Sequence, residues 1–504
     1  CIRDRFINGR RFIGFGGNWG FGESNLNYRE REYDIAVAYH ADMNFTMIRN
    51  WVGQIGDKEF YEACDRHGIM VWQDFWLANP VDGPNPYYTE MFNANACDYL
   101  KRIRNHPSIG IYVGRNEGNP PAGIDDYLRG LVFREHPGLY YISNSAMGVV
   151  SGGGPYRALS PKSYFQSYGH DKFHSERGMP NVMNYESMLL TFGTDKIEPV
   201  NTSETPNPVY GLHDYTLGGG KGSSAQAASS FNDMIEKAFG RPRDAKQFAE
   251  WAQWINYDGY RAIFEGRSEH RRGMLLWMSH SAWPSMVWQT YDYYFDPNAA
   301  YFGCKKASEP LHIQWNPLRD DIEVVNYHAF DRTGLTATAS LFNQDGTLQW
   351  TRETKLDIKE DQTVACFPLE QPETLSDTYF IKLSLTDSDG KQLSDNFYWR
   401  GKEDGNYKSL LQLPKVSVCK NVTVKKTGKE WLIRAVLKNE ARTPALMLRL
   451  KVAGEKSGRM LLPVFYSDNY FSLLPGEVKE VDIRLYDADT YGEKPVLEVL
   501  GFNL

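Results

Sequence analysis

The feature that most constrains the fold of this chain is a series of short apolar segments that alternate with helical segments up to about residue 315. Each of these segments is continuously apolar instead of alternating between apolar and polar residues, as in parallel strands that are covered on both faces. Repeated strand–helix units of this kind predict a βα barrel or a doubly wound sheet. The predicted strands are 10–19, 43–51, 69–76, 109–118, 138–145 and 172–178.

Helical segments lie between and after these strands. Gly68 is placed to end the second of them, because glycine readily adopts the left-handed conformation that terminates helices. The 186–242 region is rich in Gly, Ser and Pro, which predicts loop with some helix. A further apolar segment follows at 271–285. The predicted helices are 29–43, 57–68, 93–108 and 243–265.

After about residue 316 the pattern changes to partial period-2 alternation, broken by turn sequences such as QDG and DSDG. GKEDGNY at 401–407 indicates a linker, so two antiparallel β-sandwiches of roughly 90–100 residues each are predicted. The predicted domains are a barrel over 1–315 and β-sandwiches over 316–404 and 405–504.

The net charge of −7 gives no basic surface, so nucleic acid is not expected as a partner. Aromatic residues make up 14% of the chain, with 31 Tyr and 13 Trp. A large core with β-sandwiches would explain them, and so would a carbohydrate site, where flat rings stack on sugar faces. Both explanations stay open at this point.

The six cysteines lie far apart and form no CxxC pair, so neither a zinc site nor a disulfide framework is indicated, and we expect no metal and no cofactor. No run approaches the ~20 apolar residues of a membrane span. The chain opens CIRDRF, without Met or a signal peptide. We expect an excised fragment, with a processed lipoprotein that carries lipid on Cys1 as the alternative. The compartment is not determined, with an extracytoplasmic location, periplasmic or secreted, favoured, and the oligomeric state stays open.

Three motifs suggest other chemistry but do not fit it. GFGGNWGFG at 14–22 has no GxGxxG register, and GGGKGSS at 218–224 lacks the spacing of a P-loop. His170 and His174 are four positions apart, but they lie beside a strand and lack the intervening glutamate of a metal-binding helix, so structural roles are expected. There is also no GxSxG segment for a serine hydrolase.

Polar and aromatic side chains recur where the predicted strands stop. In βα barrels the functional residues sit at the C-terminal ends of the strands. One Asn or Arg at such a position would usually be a cap or part of a structural salt bridge, but recurrence over several strands is harder to explain by structure alone. We predict that substrate contacts come from Asn18, Arg49, Trp51, Asp74, Trp76, Asn116, Trp277 and Trp283.

Two glutamates at predicted strand ends are the candidate catalytic residues. Glycoside hydrolysis needs an acid near the leaving oxygen and a second carboxylate near the anomeric carbon, ~5–5.5 Å apart in a retaining enzyme. Glu117 and Glu176 are 59 positions apart (176 − 117), which leaves room for several βα units between them. Either residue alone would more often be a surface or ion-paired glutamate, so the prediction requires that the two meet across a barrel mouth.

Several segments resemble the family 2 glycoside hydrolases, over most of 1–315 and more weakly beyond. FINGRRFIGFGGNWG resembles the strand that opens the catalytic barrel of that family, and HPSIGIYVGRNEG resembles its fourth-strand segment, which ends in an Asn-Glu pair. FHSERG resembles the seventh-strand segment, and MLLWMSHSAWPSMVWQTYDYY and SDNYFSLLPGE are similar to the eighth strand and last sandwich of the β-mannosidase and exo-β-glucosaminidase branches. The resemblance implies a (β/α)8 TIM barrel followed by two immunoglobulin-like β-sandwich domains.

The resemblance also implies a role for each matching residue. Glu117 takes the acid/base position, Asn116 contacts the 2-substituent of the sugar, and Glu176 takes the nucleophile position. Arg177 stands where the family usually has an aromatic residue. Glu186 is the alternative nucleophile, although it lacks the Ser before and the Gly after.

Further expectations follow from the branches of the family. Trp277 matches the strand-end Trp that forms the floor of the sugar subsite. The exo-glucosaminidase branch tends to carry Asp at the acid position, so Glu117 favours the mannosidase side. The two β-domains that precede the barrel in that family are expected to be absent from this chain.

We therefore predict a retaining exo-β-glycosidase that binds carbohydrate and hydrolyses terminal β-mannosides or β-glucosaminides, with β-galactosides as a further option. One alternative is a non-catalytic carbohydrate-binding protein on a degenerate barrel. Another is a scaffold built on the sandwiches, which would have a partner interface and no affinity for sugar.

Overall fold

The computed structural model describes residues 5–167, 169–215, 227–327 and 329–504, so the predicted features at 218–224 lie outside the described residues. The chain forms two compact units, each built from separate stretches of sequence. The barrel-sheet unit comprises Cys1–Tyr156, Ser167–Met179 and Gly266–Gln289. The sandwich unit comprises Arg157–Gln166, Pro180–Glu265 and Thr290–Leu504.

The barrel-sheet unit contains eight strands joined in parallel in the order β7-β6-β5-β4-β3-β10-β9-β8, after a short antiparallel hairpin of β1 and β2. Apart from the step between β3 and β10, neighbours in this sheet are consecutive in the chain, which is the strand order of a (β/α)8 barrel and confirms that prediction over a doubly wound sheet. The strands are β1 Arg5–Ile7, β2 Arg10–Phe12, β3 Phe15–Trp19, β4 Met47–Asn50, β5 Met70–Asp74, β6 Ile109–Arg115, β7 Tyr140–Asn144, β8 Val150–Ser151, β9 Phe173–Arg177 and β10 Met274–Leu276.

The single strand predicted at 10–19 is wrong, because the chain there divides into β2, which pairs back on β1, and β3, which enters the parallel sheet. β3 approaches β4 so closely that a Cβ on Gly16 would lie 1.6 Å from the Met47 carbonyl oxygen, and glycine is therefore required. Side chains from five strands fill the inside of the sheet with a buried apolar cluster. This cluster consists of Met47, Trp72, Ile111, Val113, Val150 and Leu275.

Four helices of the barrel-sheet unit alternate with its strands. Three of them overlap the helices predicted at 29–43, 57–68 and 93–108, and the fourth, between β6 and β7, was not predicted. Gly68 ends the second helix in the left-handed conformation at φ +69°, as its position in the sequence predicts. A short 3-10 turn, Trp51–Gly53, follows β4 and carries one of the predicted site residues. The helices are α1 Glu30–Asp42, α2 Lys58–His67, α3 Thr89–Ile103 and α4 Ala122–Glu135.

The sandwich unit contributes six further described helices, including helices within the 186–242 region as predicted. The longest, Ala245–Glu265, is buried over most of its length. None of the helices in the described part of the chain has the length and apolar character of a membrane span. The helices are α5 Pro161–Gln166, α6 Tyr185–Phe192, α7 Pro208–Leu212, α8 Ala227–Phe239, α9 Ala245–Glu265 and α10 Ala299–Ala307.

Two antiparallel sandwiches follow in the same unit, which confirms the predicted fold class. The first pairs the sheet β11-β12-β15 with β14-β13-β16-β17, and their alternating apolar residues form one buried cluster. The domain boundaries at 315/316 and 404/405 stay predictions. The strands are β11 Leu311–Asn316, β12 Asp321–Asn326, β13 Arg332–Asn343, β14 Leu348–Ile358, β15 Gln362–Pro368, β16 Thr378–Thr386 and β17 Gln392–Gly401.

The second sandwich is built from the sheets β18-β19-β23-β21 and β22-β20-β24. Short 3-10 turns lie at Lys408–Gln412, before this sandwich, and at Asp487–Thr490 within it. The strands are β18 Val418–Thr427, β19 Glu430–Asn439, β20 Ala445–Gly454, β21 Val464–Tyr466, β22 Phe471–Leu473, β23 Val478–Tyr486 and β24 Pro495–Leu500.

Candidate active site

The polar residues at the strand ends divide between the inside and the outside of the parallel sheet. Adjacent residues of a strand point to opposite faces, so Arg49 and Asn50 of β4 reach different surroundings. Arg49 contacts side chains from other strands of the sheet. Asn50 instead joins Gln73 and the hydroxyl of Tyr61 in a buried network under the helices. Only the inward set can therefore form a site.

The guanidinium of Arg49 lies at the centre of the inward set. Its Nη1 donates to Glu176 Oε1 at 2.7 Å, and its Nη2 donates to Asn116 Oδ1 at 2.7 Å. Its Nε and Nη2 both donate to Asp74 Oδ2, at 3.0 and 2.7 Å. One buried cation thus links the ends of β5, β6 and β9, and it brings together four of the residues predicted from the sequence.

Asp74 is fully enclosed behind Arg49. Besides Arg49, it accepts hydrogen bonds from the Trp72 indole at 2.7 Å and from the backbone N–H of Val52 at 3.0 Å. Its side chain has no exposed surface. Its oxygens are therefore committed to protein donors, and its geometry suits the orientation of Arg49 more than direct contact with a substrate.

Both oxygens of Glu176 have a protein donor. Arg49 binds Oε1, and the Tyr156 hydroxyl donates to Oε2 at 2.6 Å. Burial, joined by the negative charge of Glu117, raises the pKa of Glu176 to about 7 against the lowering effect of Arg49. Opposite charges and hydrogen bonds to the carboxylate favour its ionised form. Glu176 is consequently a buried carboxylate held in one orientation.

Sequence reasoning did not identify Tyr156. It lies on the loop after β8, and the structure adds this two-residue strand to those predicted. Burial, then the negative charges of Glu176 and Glu117, raise the pKa of the Tyr156 phenol. Both carboxylates therefore act on the same hydroxyl group. The sequence signal was the glycine run GGGPY, which ends in an aromatic residue where a strand-end loop would lie.

Glu117 stands at the end of β6 in a conformation that non-glycine residues rarely adopt. Its φ is +46°, in the left-handed region, and such positions cluster at functional sites. Its backbone N–H donates to Ser145 Oγ at 2.9 Å, and its Oε2 accepts from Asn79 at 3.4 Å. A Cβ on Gly153 would lie 3.4 Å from its other oxygen, Oε1. Glu117 thus faces two loops, one on each carboxylate oxygen.

Aromatic side chains line the same end of the sheet. The ring of Trp277 lies 5.0 Å from that of Trp51, 6.2 Å from that of Trp288 and 6.4 Å from that of Tyr156. The indole Nε1 atoms of Trp51 and Trp288 are buried without a hydrogen-bond partner in the described part of the chain. Buried donors are nearly always paired in proteins, so these two indoles are available to a ligand.

Three further predicted residues have other surroundings. Asn18 donates to the carbonyls of Ser175 and Leu276 at 3.0 and 2.8 Å, and so ties β3 to β9 and β10. Trp76 is 36% exposed and donates to the Gly53 carbonyl at 3.1 Å. Trp283 is 39% exposed on the segment after β10. The substrate contacts predicted for these three stay predictions.

The alternative nucleophile Glu186 belongs to the sandwich unit, where its side chain forms ion pairs with Arg449 at 2.8 Å and Lys451 at 3.2 Å. Burial raises the pKa of Glu186, but these two cations outweigh burial and lower the pKa to about 2. Glu186 therefore fits a structural ion pair, and this geometry favours Glu176 over it.

The two histidines considered for metal binding are also explained by structure. His174 contacts Ser151 Oγ at 2.7 Å and the Gly154 carbonyl at 2.8 Å, so it supports the loop that carries Tyr156. His170 contacts Ser167 at 3.1 Å. Among the described residues, no group of three or more His, Cys, Asp or Glu side chains is arranged to hold a metal ion.

Comparisons with known proteins agree with this architecture. Residues 396–504 match the family model described as the exo-beta-D-glucosaminidase Ig-fold domain. The chain is 27% identical to a mannosylglycoprotein endo-beta-mannosidase of Lilium longiflorum, over 99% of this chain and 63% of that protein. It is 28% identical to an exo-beta-D-glucosaminidase of Streptomyces avermitilis, over 99% of this chain and 60% of that protein.

A solved structure shows the same fold. The crystal structure of the exo-chitosanase CsxA of Amycolatopsis orientalis superposes with a TM-score of 0.87 at 24% identity, over 98% of this chain and 63% of that one. The resemblance to the mannosidase and glucosaminidase branches of the family 2 glycoside hydrolases is thus confirmed, and the homologues are glycoside hydrolases. This chain spans about 60% of the length of these relatives.

Proposed function

We propose that the protein is an exo-acting retaining β-glycosidase, with a β-mannoside as its first candidate substrate. The observation that carries the proposal is that both glutamates border the 153–156 loop at the carboxyl ends of the parallel strands. Glu176 Oε2 accepts from the Tyr156 hydroxyl at 2.6 Å, and Glu117 Oε1 lies 3.4 Å from the place that a Cβ on Gly153 would take. Two carboxylates of unequal environment at one barrel mouth are what glycoside hydrolysis requires.

The two glutamates take different roles in the proposed mechanism. Glu176 Oε attacks the anomeric carbon, and a glycosyl–enzyme ester forms as the bond to the leaving oxygen breaks. Glu117 donates its proton to that oxygen. A water molecule then attacks the anomeric carbon, Glu117 accepts the proton of the water, and the Glu176 carboxylate is released. Two displacements at one carbon give a sugar product with retained configuration.

The environment of each glutamate supports this division. Glu176 is buried and receives hydrogen bonds on both oxygens from Arg49 and Tyr156, which orient it and stabilise its negative charge. Glu117 lies at a strand end with a strained backbone. Its carboxylate accepts from the Asn79 amide and, within the described residues, forms no ion pair with an arginine. A residue that must gain and lose a proton suits the position without a fixed cation.

The charge balance favours a neutral sugar over an amino sugar. An ammonium group at C2 would need a carboxylate that is free to pair with it. Asp74 and Glu176 are already paired with Arg49, and Glu117 must be protonated when it acts as the acid. The donors of Asn116, Trp51 and Trp288 suit hydroxyl groups. We therefore rank a β-mannoside ahead of a β-glucosaminide, and a β-galactoside behind both, since the relatives named above are a mannosidase, a glucosaminidase and an exo-chitosanase.

Hydrolysis of 4-nitrophenyl β-D-mannoside, β-D-glucosaminide and β-D-galactoside by the full-length protein tests the proposal. We expect the highest kcat/KM for the mannoside, and proton NMR of the first product should show the β-anomer. An α-anomer would overturn the retaining mechanism. Binding of mannose by calorimetry without hydrolysis of any of the three glycosides would instead establish the non-catalytic binding protein.

The mode of attack needs its own measurement, because one relative is named an endo-enzyme and others are named exo-enzymes. Digestion of a β-1,4-linked mannopentaose followed over time distinguishes the two modes. Release of mannose from one end supports exo action, and early accumulation of internal fragments contradicts it.

A further inference from the structure

The two carboxylate oxygens of Glu117 face two different loops. Oε1 faces Gly153, on the loop whose Tyr156 donates to Glu176. Oε2 accepts from Asn79, on the segment between β5 and α3. Oε1 is therefore directed towards the loop that carries Tyr156, the partner of Glu176, and Oε2 towards the 79–88 segment.

The chemistry of acid catalysis indicates which part of the substrate the 79–88 segment lies beside. The sugar that is cleaved lies at the nucleophile, and the acid lies beside the oxygen that leaves. Groups that border the acid on the side opposite the nucleophile therefore border the leaving group. The 79–88 segment also lies beside the residue that follows Glu117, since Pro80 Cδ is 3.1 Å from the place that a Cβ on Gly118 would take.

The start of the segment is held in place by side-chain hydrogen bonds. Arg115, which is 3% exposed and ends β6, donates to the Ala78 carbonyl and to Asn85 Oδ1, both at 2.7 Å. Asn79 Oδ1 accepts from the backbone N–H groups of Val81 and Asp82 at 3.1 and 2.9 Å. A loop that is ordered before binding loses less conformational entropy when a ligand arrives.

Large apolar side chains stand out from this segment into solvent. Val81 is 92% exposed, Tyr87 is 88% exposed and Tyr88 is 71% exposed. Single exposed apolar residues are common, but several within one short segment beside a catalytic site indicate a binding surface. Tyrosine rings combine a flat apolar face with a polar edge, which matches the face and the hydroxyl rim of a sugar ring.

We infer that the 79–88 segment binds the leaving-group saccharide, so that the preferred substrate is an oligosaccharide and not a glycoside of a small alcohol. This inference rests on the proposed function. It assigns Tyr87 and Tyr88 to stacking on sugar rings beyond the scissile bond, and Asn79 to positioning Glu117 at the leaving oxygen.

A double variant, Tyr87→Ala with Tyr88→Ala, tests the inference through a ratio of two substrates. β-D-mannosyl fluoride has a leaving group without a ring, and β-1,4-mannotriose has a saccharide leaving group. We expect the ratio of kcat/KM for the trisaccharide to kcat/KM for the fluoride to fall at least tenfold in the double variant. Circular dichroism checks that the variant is folded.

Tyr140→Ala is the matched control, because Tyr140 is 58% exposed and begins β7, at the opposite end of the sheet. Its ratio should equal that of the parent protein. An unchanged ratio in the folded double variant would overturn the inference and leave the proposed function intact. Failure of the parent protein to hydrolyse either substrate would overturn the proposed β-mannosidase function, and hydrolysis of the fluoride without the trisaccharide would overturn the inference alone.

Discussion

Arg49 Nη1 donates to Glu176 Oε1 over 2.7 Å, and neither side chain has more than 3% of its surface exposed. The same guanidinium is held from behind by Asp74, so that its position does not depend on Glu176. A buried ion pair of this kind is a weak source of net stability but fixes geometry well when its remaining hydrogen bonds are satisfied. Arg49 is therefore a positioning residue for the candidate nucleophile, and the predictions below follow from this arrangement.

Removal of Glu117 and removal of Glu176 should impair turnover in different ways. We expect Glu117→Ala to lower kcat/KM for glycosides with poor leaving groups by ~10²–10⁴-fold, the usual contribution of general acid–base catalysis, and to spare 2,4-dinitrophenyl glycosides. Added azide should restore turnover by attacking the anomeric carbon and releasing Glu176, with a β-glycosyl azide as product. Glu176→Ala should be inactive on both substrates. Turnover rates close to those of the parent protein in both variants would contradict the assignment of Glu117 and Glu176 as the catalytic pair.

Loss of the guanidinium at position 49 should destabilise the protein as well as inactivate it. We expect Arg49→Met to lower the free energy of unfolding by ~3–5 kcal/mol, because it leaves two buried carboxylates without their cation. Arg49→Lys keeps the charge but cannot donate to three partners at once, so it should recover stability only in part. Thermal unfolding of Arg49→Met and Arg49→Lys, followed by near-UV circular dichroism, measures the loss of stability in each variant.

Arg129 provides the control for this comparison. It pairs with Asp125 in the same unit, but its side chain is 55% exposed. Surface ion pairs contribute about 0–1 kcal/mol, so Arg129→Met should unfold close to the parent protein. Equal losses of unfolding free energy in Arg49→Met and Arg129→Met would contradict the role assigned to Arg49.

The acid limb of the pH profile should report Glu176. Burial raises its pKa to about 7, and the nucleophile acts in its ionised form, so kcat/KM should rise with pH through that region. The Tyr156 hydroxyl donates to the carboxylate and thereby lowers its pKa. Tyr156→Phe should consequently move the limb to higher pH, and a limb that stays in place or moves to lower pH would refute this interaction.

The sequence predicted most of the barrel because buried parallel strands are continuously apolar. It did not reveal β8, since the two residues Val150 and Ser151 are too short to form a recognisable run. It merged β2 with β3, because a hairpin strand and a barrel strand joined by Ile13 and Gly14 carry the same apolar signal. Apolar character alone does not predict which sheet a strand joins.

The site shows a similar division. Arg49, Asp74, Asn116 and Glu176 were placed at strand ends from the sequence, and the structure brings the last three around the Arg49 guanidinium. The sequence could not separate the inward Arg49 from the outward Asn50, since the direction of a side chain depends on where the strand begins. Tyr156 lies on an irregular loop, and no periodic pattern predicts the position of such a residue.

The ion pair of Glu186 should be visible in stability and not in catalysis. Burial raises the pKa of Glu186, but Arg449 and Lys451 outweigh burial and lower the pKa to about 2. This is well below the usual pKa of a glutamate in an unfolded chain. A carboxyl group whose pKa is depressed in the folded state stabilises the protein above its unfolded pKa, and this contribution is lost as the pH falls through the folded pKa. Glu186 should therefore contribute roughly 3 kcal/mol at neutral pH, which disappears between about pH 4.5 and 2.

Glu186→Gln tests this directly, and it also separates the two candidate nucleophiles. Urea unfolding at pH 7 should show the variant to be less stable than the parent protein, and the difference should shrink steadily as the pH is lowered towards 3. Its kcat on an aryl β-mannoside should match that of the parent protein when assayed below its unfolding temperature, because Glu186 is committed to Arg449 and Lys451 in the sandwich unit. A folded Glu186→Gln protein with kcat reduced a thousandfold would instead transfer the nucleophile role from Glu176 to Glu186.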